Sequence, residues 1–222
     1  FQETTRVLTD AAIKGKVDKQ GWYSDIKICI GVLTRIPVSV DAMSQDISVS
    51  EASRFFPIVG AFAGLMTALV WWICSWFDLP EAVLALLLLL TLTLITGALH
   101  EDGLADTFDG LGGGATREQK LAIMRDSQIG SYGVLALLFS FGFRWAIWTK
   151  IIEQGGVETT FAAIIATSAA SRAILPTIMH FVPLAQEDGL SASAGQPSFE
   201  RAITATLPTP PVAPVTKTSL TF

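Results

Sequence analysis

Leu79-Pro80-Glu81-Ala82-Val83-Leu84-Ala85-Leu86-Leu87-Leu88-Leu89-Leu90-Thr91-Leu92-Thr93-Leu94-Ile95-Thr96-Gly97-Ala98-Leu99 is an apolar run with one charge, Glu81, at its outer end. It passes directly into His100-Glu101-Asp102-Gly103-Leu104-Ala105-Asp106-Thr107-Phe108-Asp109-Gly110, where four acidic residues crowd the point at which a membrane segment leaves the bilayer. On a helix turning ~100° per residue, Asp102, Asp106 and Asp109 fall within roughly 60° of one another. Like charges on one stripe repel, more strongly if desolvated. A divalent cation removes that repulsion, and oxygen-only ligands suit Mg²⁺ or Mn²⁺. The plainer alternative is a solvated acidic helix end.

Composition agrees with a membrane protein. Half of the 222 residues are hydrophobic and 16% are charged, against about 25% charged in an ordinary soluble domain. The net charge of −5 provides no basic stripe for nucleic acid. Cys29 and Cys74 lie inside apolar runs at no metal-ligand spacing and read as buried thiols.

Four segments are expected to span: Phe55 to Phe77, Leu79 to Leu99, Ile129 to Trp148 and Thr159 to Val182. The first reaches about 34 Å as a helix, enough for a hydrocarbon core of ~30 Å. Arg144 and Arg172 sit deep in the third and fourth, where an unpaired guanidinium costs at least ~2.5 kcal/mol. They are expected to face the bundle interior or water. Gly60 and Gly64 form a Gly-x-x-x-Gly step that permits close helix packing, although chance in a Gly- and Ala-rich helix explains it equally well. The fold class is therefore all-α, a polytopic transmembrane helical bundle.

Lysine and arginine set the expected orientation. Seven lie in residues 1–54, none in 78–81, three (Arg117, Lys120, Arg125) in 100–128, and only Lys150 in 149–158. The excess of these residues in cytoplasmic loops puts the N-terminus and the 100–128 loop inside. Residues 1–20 are a polar extension with no signal-peptide pattern. Residues 22–38 mix apolar and charged positions, as in an interfacial helix broken at Pro37. Residues 21–202 form the expected membrane-embedded core, and 203–222 a Pro/Thr-rich tail.

The 100–128 loop holds a second constellation. Gly110-Leu111-Gly112-Gly113-Gly114 could let backbone approach a ligand, without the spacing of a P-loop. Arg117 to Met124 reads as a short amphipathic helix. In Arg125-Asp126-Ser127 the guanidinium can fork onto a phosphate, and Asp126 can take metal or a hydroxyl. A surface ion pair with a helix cap at Ser127 is the competing reading.

Thr96 to Gly110, followed by Ile123-Met124-Arg125-Asp126-Ser127-Gln128-Ile129-Gly130, closely resembles the cobalamin 5′-phosphate synthase family, also called adenosylcobinamide-GDP ribazoletransferase. Leu33-Thr34-Arg35-Ile36-Pro37, Phe56-Pro57-Ile58-Val59-Gly60, Ala170-Ser171-Arg172, Gly189-Leu190 and Gly195-Gln196-Pro197 carry further matches, so the resemblance runs from about Ser24 to about Ala202. It implies a multi-pass enzyme of the bacterial cytoplasmic (inner) membrane, dependent on Mg²⁺, that joins adenosylcobinamide-GDP to α-ribazole or its 5′-phosphate and releases GMP. In that reading Asp102, Asp106 and Asp109 are catalytic and hold the metal, with Asp109 at the loop edge the better candidate for the base. His100, Gly103, Arg125, Asp126, Ser127 and Arg172 bind substrate. A homo-oligomer, or association with other cobalamin-assembly enzymes, stays open.

Family members continue to a motif like Gly-Gly-x-Thr-Gly-Asp-x-Leu-Gly-Ala, which 203–222 does not match. Later helices are then expected to supply partners for Arg144 and Arg172, and this chain to insert yet transfer weakly or not at all. Two rivals stand beside this reading. A CDP-alcohol phosphotransferase also strings aspartates and glycines at a membrane surface, but its Ala-Arg pair is replaced here by Ala105-Asp106. A channel or transporter subunit lined by Arg144 and Arg172 would leave the aspartates without a task.

Overall fold

The computed structural model describes residues 21–38, 49–185 and 190–206, and all regular structure among them is helical. The polar 1–20 extension and residues 207–222 of the expected tail lie outside the described residues. In chain order the helices are α1 (21–33), α2 (Val49–Ala52), a 3₁₀ turn at Ser53–Phe55, α3 (Phe56–Cys74), α4 (Glu81–Thr96) and α5 (Leu99–Gly113). There follow α6 (Arg117–Ile123), α7 (Ser131–Phe181), α8 (Leu190–Ala194) and α9 (Phe199–Thr206). The tail expected from residue 203 thus begins as the last turn of α9.

By length and hydropathy, Val49–Phe77 and Ser131–Phe181 can cross a membrane, and α4 qualifies only jointly with α5 across a 90° bend. Counted as unbroken helices these are two, or three with the bent pair, but α7 is two helices meeting at a kink, and its arms fall where the third and fourth spans were expected. Two physical reasons account for the lower count of unbroken helices. At 16 residues, α4 reaches only about 24 Å. The expected third and fourth spans are one helical stretch, so 149–158 is not a loop. A single residue breaks it: Gly156, at φ 66° and ψ −177°, a conformation open essentially to glycine alone. The arms of α7 on either side are 131–155 and 157–181. With four acidic residues, α5 is too polar to be a span and is read as lying outside them.

The chain divides into two compact units. The larger holds 30–38 and 58–169. Its core joins Ala68 and Trp71 of α3, Leu84, Leu88 and Leu89 of α4, and Ile164 of α7. Phe141, Trp148 and Ile152 from one arm of α7 and Phe161 and Ile165 from the other pack against that cluster. Gly64 lies so close to the second arm that an added Cβ would stand 2.8 Å from Ser168 Cβ and 2.9 Å from Ile165 Cα. Close packing is therefore the use of this glycine. Many large apolar side chains stay exposed along the first arm, among them Leu135, Leu138, Phe139, Phe143 and Ile147. Such a surface suits lipid rather than water.

The bend between α4 and α5 is local. Gly97 and Ala98 both adopt the left-handed conformation, at φ 65° and 59°, which costs a non-glycine residue about 1–2 kcal/mol. Gly97 and Ala98 N–H donate back to Leu94 and Thr93, closing α4, and Asp102 N–H donates to Ala98, opening α5. Arg35 covers the break: its N–H donates to Ile95 O at 2.8 Å, and its side chain leaves no room for a Cβ on Gly97. The helix expected to break at Pro37 ends earlier, at residue 33, where the Thr34 hydroxyl donates to Ile30 O.

The smaller unit holds 21–29, 49–57, 170–185 and 190–206. Asp25 and Arg54 form an ion pair at 2.7 Å. Cys29 is buried, donates to Ala52 O, and has its thiol pushed up to about 12 by burial and then by Asp25. Both cysteines are free, but only Cys29 is buried as expected; Cys74 is half-buried. The amphipathic α9 turns Ala202 and Ala205 inward, and His180 Nδ1 lies 2.9 Å from Pro197 O.

Candidate active site on helix α5

The acidic stretch folds as one helix whose first turn carries Glu101 and Asp102, where the helix dipole favours negative charge. Its acidic residues divide between two faces. Glu101, Ala105 and Asp109 recur every fourth residue and face the first arm of α7; Ala105 and Asp109 are buried. Asp102 is exposed and Asp106 half-buried on the adjoining face. Helix α5 runs antiparallel to the arm, since Glu101 meets Arg144 at one end while Asp109 meets Gly130 and Gly133 at the other.

Asp109 departs from expectation. Instead of standing at an open loop edge as a free base, it is 7% exposed and both carboxylate oxygens accept backbone N–H groups. Gly130 N–H donates to Oδ2 at 2.7 Å and Gly133 N–H to Oδ1 at 2.9 Å. The donors are the residue that caps α7 and one in its first turn, where amides have no partner within the helix.

Asp106 has its carboxyl raised above the usual carboxylate range, first by burial and then by the charges of Asp102 and Asp109. Asp106 therefore senses both of the other aspartates, in keeping with their spacing. Among the described residues, however, no three His, Cys, Asp or Glu side chains converge into a group able to hold a metal ion. What remains available to an oxygen-preferring cation is the pair Asp102 and Asp106. Their donor chemistry and mutual repulsion fit Mg²⁺. Gly103, between them, has open space where a Cβ would point, so a ligand can approach this face closely. His100 is the second residue of the same helix.

The glycine-rich run serves packing rather than an open cradle. A Cβ on Gly110 would meet Met124 Cγ at 2.6 Å, one on Gly112 the Tyr132 ring at 2.5 Å, and one on Gly114 Lys120 Cγ at 2.6 Å. These contacts bring α6 and the start of α7 against α5. Helix α6 begins with a capping box, Thr116 and Gln119 bonding reciprocally. Beyond it Arg125, Asp126 and Ser127 are exposed in the turn leading to α7. Asp126 Oδ1 accepts Gln128 N–H at 3.1 Å. Ser127 does not cap α7, which starts at Ser131.

Arg172 belongs to the smaller unit, where it is buried and donates to Ser171 Oγ at 2.7 Å. The sequence reading missed the pairing of Arg144 with Glu101. Nη1 and Oε1 are 3.1 Å apart, and the guanidinium also lies 4.5 Å from the Phe141 ring centre. The signal lay in the four-residue spacing of Glu101, Ala105 and Asp109, which marks one helix face.

The family model for cobalamin-5-phosphate synthase matches residues 25–218. The chain belongs to this family. Among curated members named adenosylcobinamide-GDP ribazoletransferase, it is 49% identical to that of Bradyrhizobium diazoefficiens over 174 residues, covering 78% of this chain and 66% of the relative. The Mesorhizobium japonicum protein is 40% identical over 179 residues, 81% of this chain and 68% of the relative. The Azorhizobium caulinodans protein is 41% identical over 187 residues, 83% of this chain and 70% of the relative. This member thus spans about two thirds of the length of the curated family members it matches. No solved structure matches it.

Proposed function

We propose that this cobalamin-5-phosphate synthase family member is a membrane-embedded transferase joining adenosylcobinamide-GDP to α-ribazole or its 5′-phosphate, with release of GMP. The observation carrying the proposal is the family's acidic motif folded as a helix, α5, with Asp102 and Asp106 on its open face. The ribose 3′-hydroxyl attacks the cobinamide-side phosphorus of the pyrophosphate; the bond from that phosphorus to the bridging oxygen breaks, and GMP leaves.

In phosphoryl transfer of this kind the protein mainly positions groups and neutralises charge. Mg²⁺, when bound, would supply charge neutralisation on the pyrophosphate oxygens, and Asp102 and Asp106 would hold it. Because both oxygens of Asp109 are engaged by backbone amides, the open pair is also the better placed to accept the hydroxyl proton. Arg125 in the exposed turn fits a phosphate oxygen, and Asp126 and Ser127 can orient the ribose. The open space at Gly103 lets a substrate approach the helix closely. Family membership implies a bacterial inner-membrane protein, and the lysine and arginine balance favours α5 and α6 on the cytoplasmic side.

The test is incubation of membranes carrying the chain with adenosylcobinamide-GDP and α-ribazole. GMP and the joined product are expected in equal amounts, at a low rate and dependent on magnesium. Absence of both, with the chain inserted, would overturn the reading.

A further inference from the structure

We propose that Asp109 is a positioning residue, a clamp that locks α5 to the start of α7 and so sets where the turn bearing Arg125, Asp126 and Ser127 stands. Its oxygens satisfy two amides at the N-terminal end of α7 from 21 and 24 residues away, at Gly130 just before the helix and Gly133 in its first turn. The carboxylate is buried, where an unsatisfied amide or charge would be costly.

The two glycines make the fit possible. A Cβ on Gly130 would come within 2.4 Å of Asp109 Oδ1. One on Gly133 would come within 2.3 Å of Oδ2 and 3.0 Å of Ala105 O. Carboxylate and glycines are thus complementary parts of one joint. At the other end of the intervening segment, Gly110 packs against Met124 and Lys120 O. The turn between Met124 and Gly130 is held at its entry by the neighbour of Asp109 and at its exit by Asp109 itself. The carboxylate's other available role is direct ligation beside Asp102 and Asp106, and the experiment separates the two. The catalytic consequence rests on the transferase reading; the clamp does not.

The experiment uses the full chain in detergent, with Asp109→Ala, Asp109→Asn, Gly133→Ala and Asp102→Asn. Hydrogen exchange at residues 130–134 is expected to quicken by about tenfold or more in Asp109→Ala and Gly133→Ala. It should quicken less in Asp109→Asn, which keeps one acceptor, and not at all in Asp102→Asn. Mn²⁺ binding, read by electron paramagnetic resonance, is expected to stay within about twofold of the parent in Gly133→Ala and Asp109→Ala and to weaken in Asp102→Asn. In GMP release, kcat is expected to fall by about tenfold in Gly133→Ala, with KM for adenosylcobinamide-GDP nearly unchanged.

Unchanged exchange in Asp109→Ala would overturn the clamp, as would Mn²⁺ binding lost in Asp109→Ala and kept in Gly133→Ala. A parent chain that releases no GMP while the exchange results hold would count against the transferase reading and leave the clamp standing.

Discussion

Arg144 Nη1 stands 3.1 Å from Glu101 Oε1, tying the first turn of α5 to the middle of α7's first arm. The expectation that Arg144 depends for its partner on helices beyond residue 202 is thereby corrected: the partner lies in the acidic motif itself. The pair also explains why Glu101 differs from Asp102, its neighbour in sequence. One turns inward to a guanidinium, and the other outward to the open face.

Removing this partner should destabilise the protein. Glu101→Gln leaves the guanidinium without its counter-charge, at a cost of about 1–3 kcal/mol, given that the Arg144 side chain is 35% exposed. Thermal melts in detergent should show the loss, and combining Glu101→Gln with Arg144→Leu should recover most of it. A Glu101→Gln variant that melts like the parent would make the pair incidental.

Asp102→Asn should abolish transfer at every magnesium concentration while membrane insertion stays normal. An amide cannot supply anionic ligation, and the residue is exposed, so folding does not depend on it. GMP release, measured beside the amount of inserted protein, decides the matter.

The pH response follows from Asp106. Its carboxyl is raised by burial and by Asp102 and Asp109, so the folded chain binds its proton more tightly than the unfolded chain does. Without divalent ions, stability should fall as pH rises from the ordinary carboxylate range through the raised value. Mg²⁺ should remove that slope, and Asp106→Asn should abolish it. Melts across pH 4–7, with and without Mg²⁺, would expose a wrong assignment by showing the same slope in all three samples.

Two glycine substitutions should have opposite signs. Gly156→Ala meets no atom within 4 Å but must adopt φ 66°, so backbone strain alone should cost about 1–3 kcal/mol. Gly103→Ala also meets nothing and lies in a regular helix, so it should stabilise by roughly 0.5–1 kcal/mol. If it nevertheless slows GMP release, substrate approaches the helix at that point. Equal melting temperatures for the two variants would contradict this account.

Single cysteines introduced at Gly113 and Gly155, in a chain with Cys74→Ser, should label from opposite sides of the membrane, Gly113 from the cytoplasm. Cys29 does not interfere, because its thiol is buried and held protonated with a pKa of about 12. Labelling of Gly113 from outside would reverse the orientation.

From sequence alone, the apolar runs determined that the chain is helical and membrane-embedded, because only a helix satisfies its own backbone in lipid. The motif from Thr96 to Gly110 determined the family and the crowding of the aspartates, since helical spacing puts those three near one another in any packing. Only the tertiary structure decided which carboxylates stay open. Periodicity places Asp102, Asp106 and Asp109 within one arc, but it does not say which edge of the arc meets a neighbouring helix. The approach of Gly130 and Gly133 buries Asp109, and Arg144 draws Glu101 inward. The fate of the Gly110–Gly114 run was hidden for the same reason. A glycine admits either a ligand or a neighbouring helix, and here Met124, Tyr132 and Lys120 fill the space. The single-residue break at Gly156 also lay beyond sequence pattern, because glycine permits a positive φ without requiring it, and packing of both arms of α7 on one core selects it.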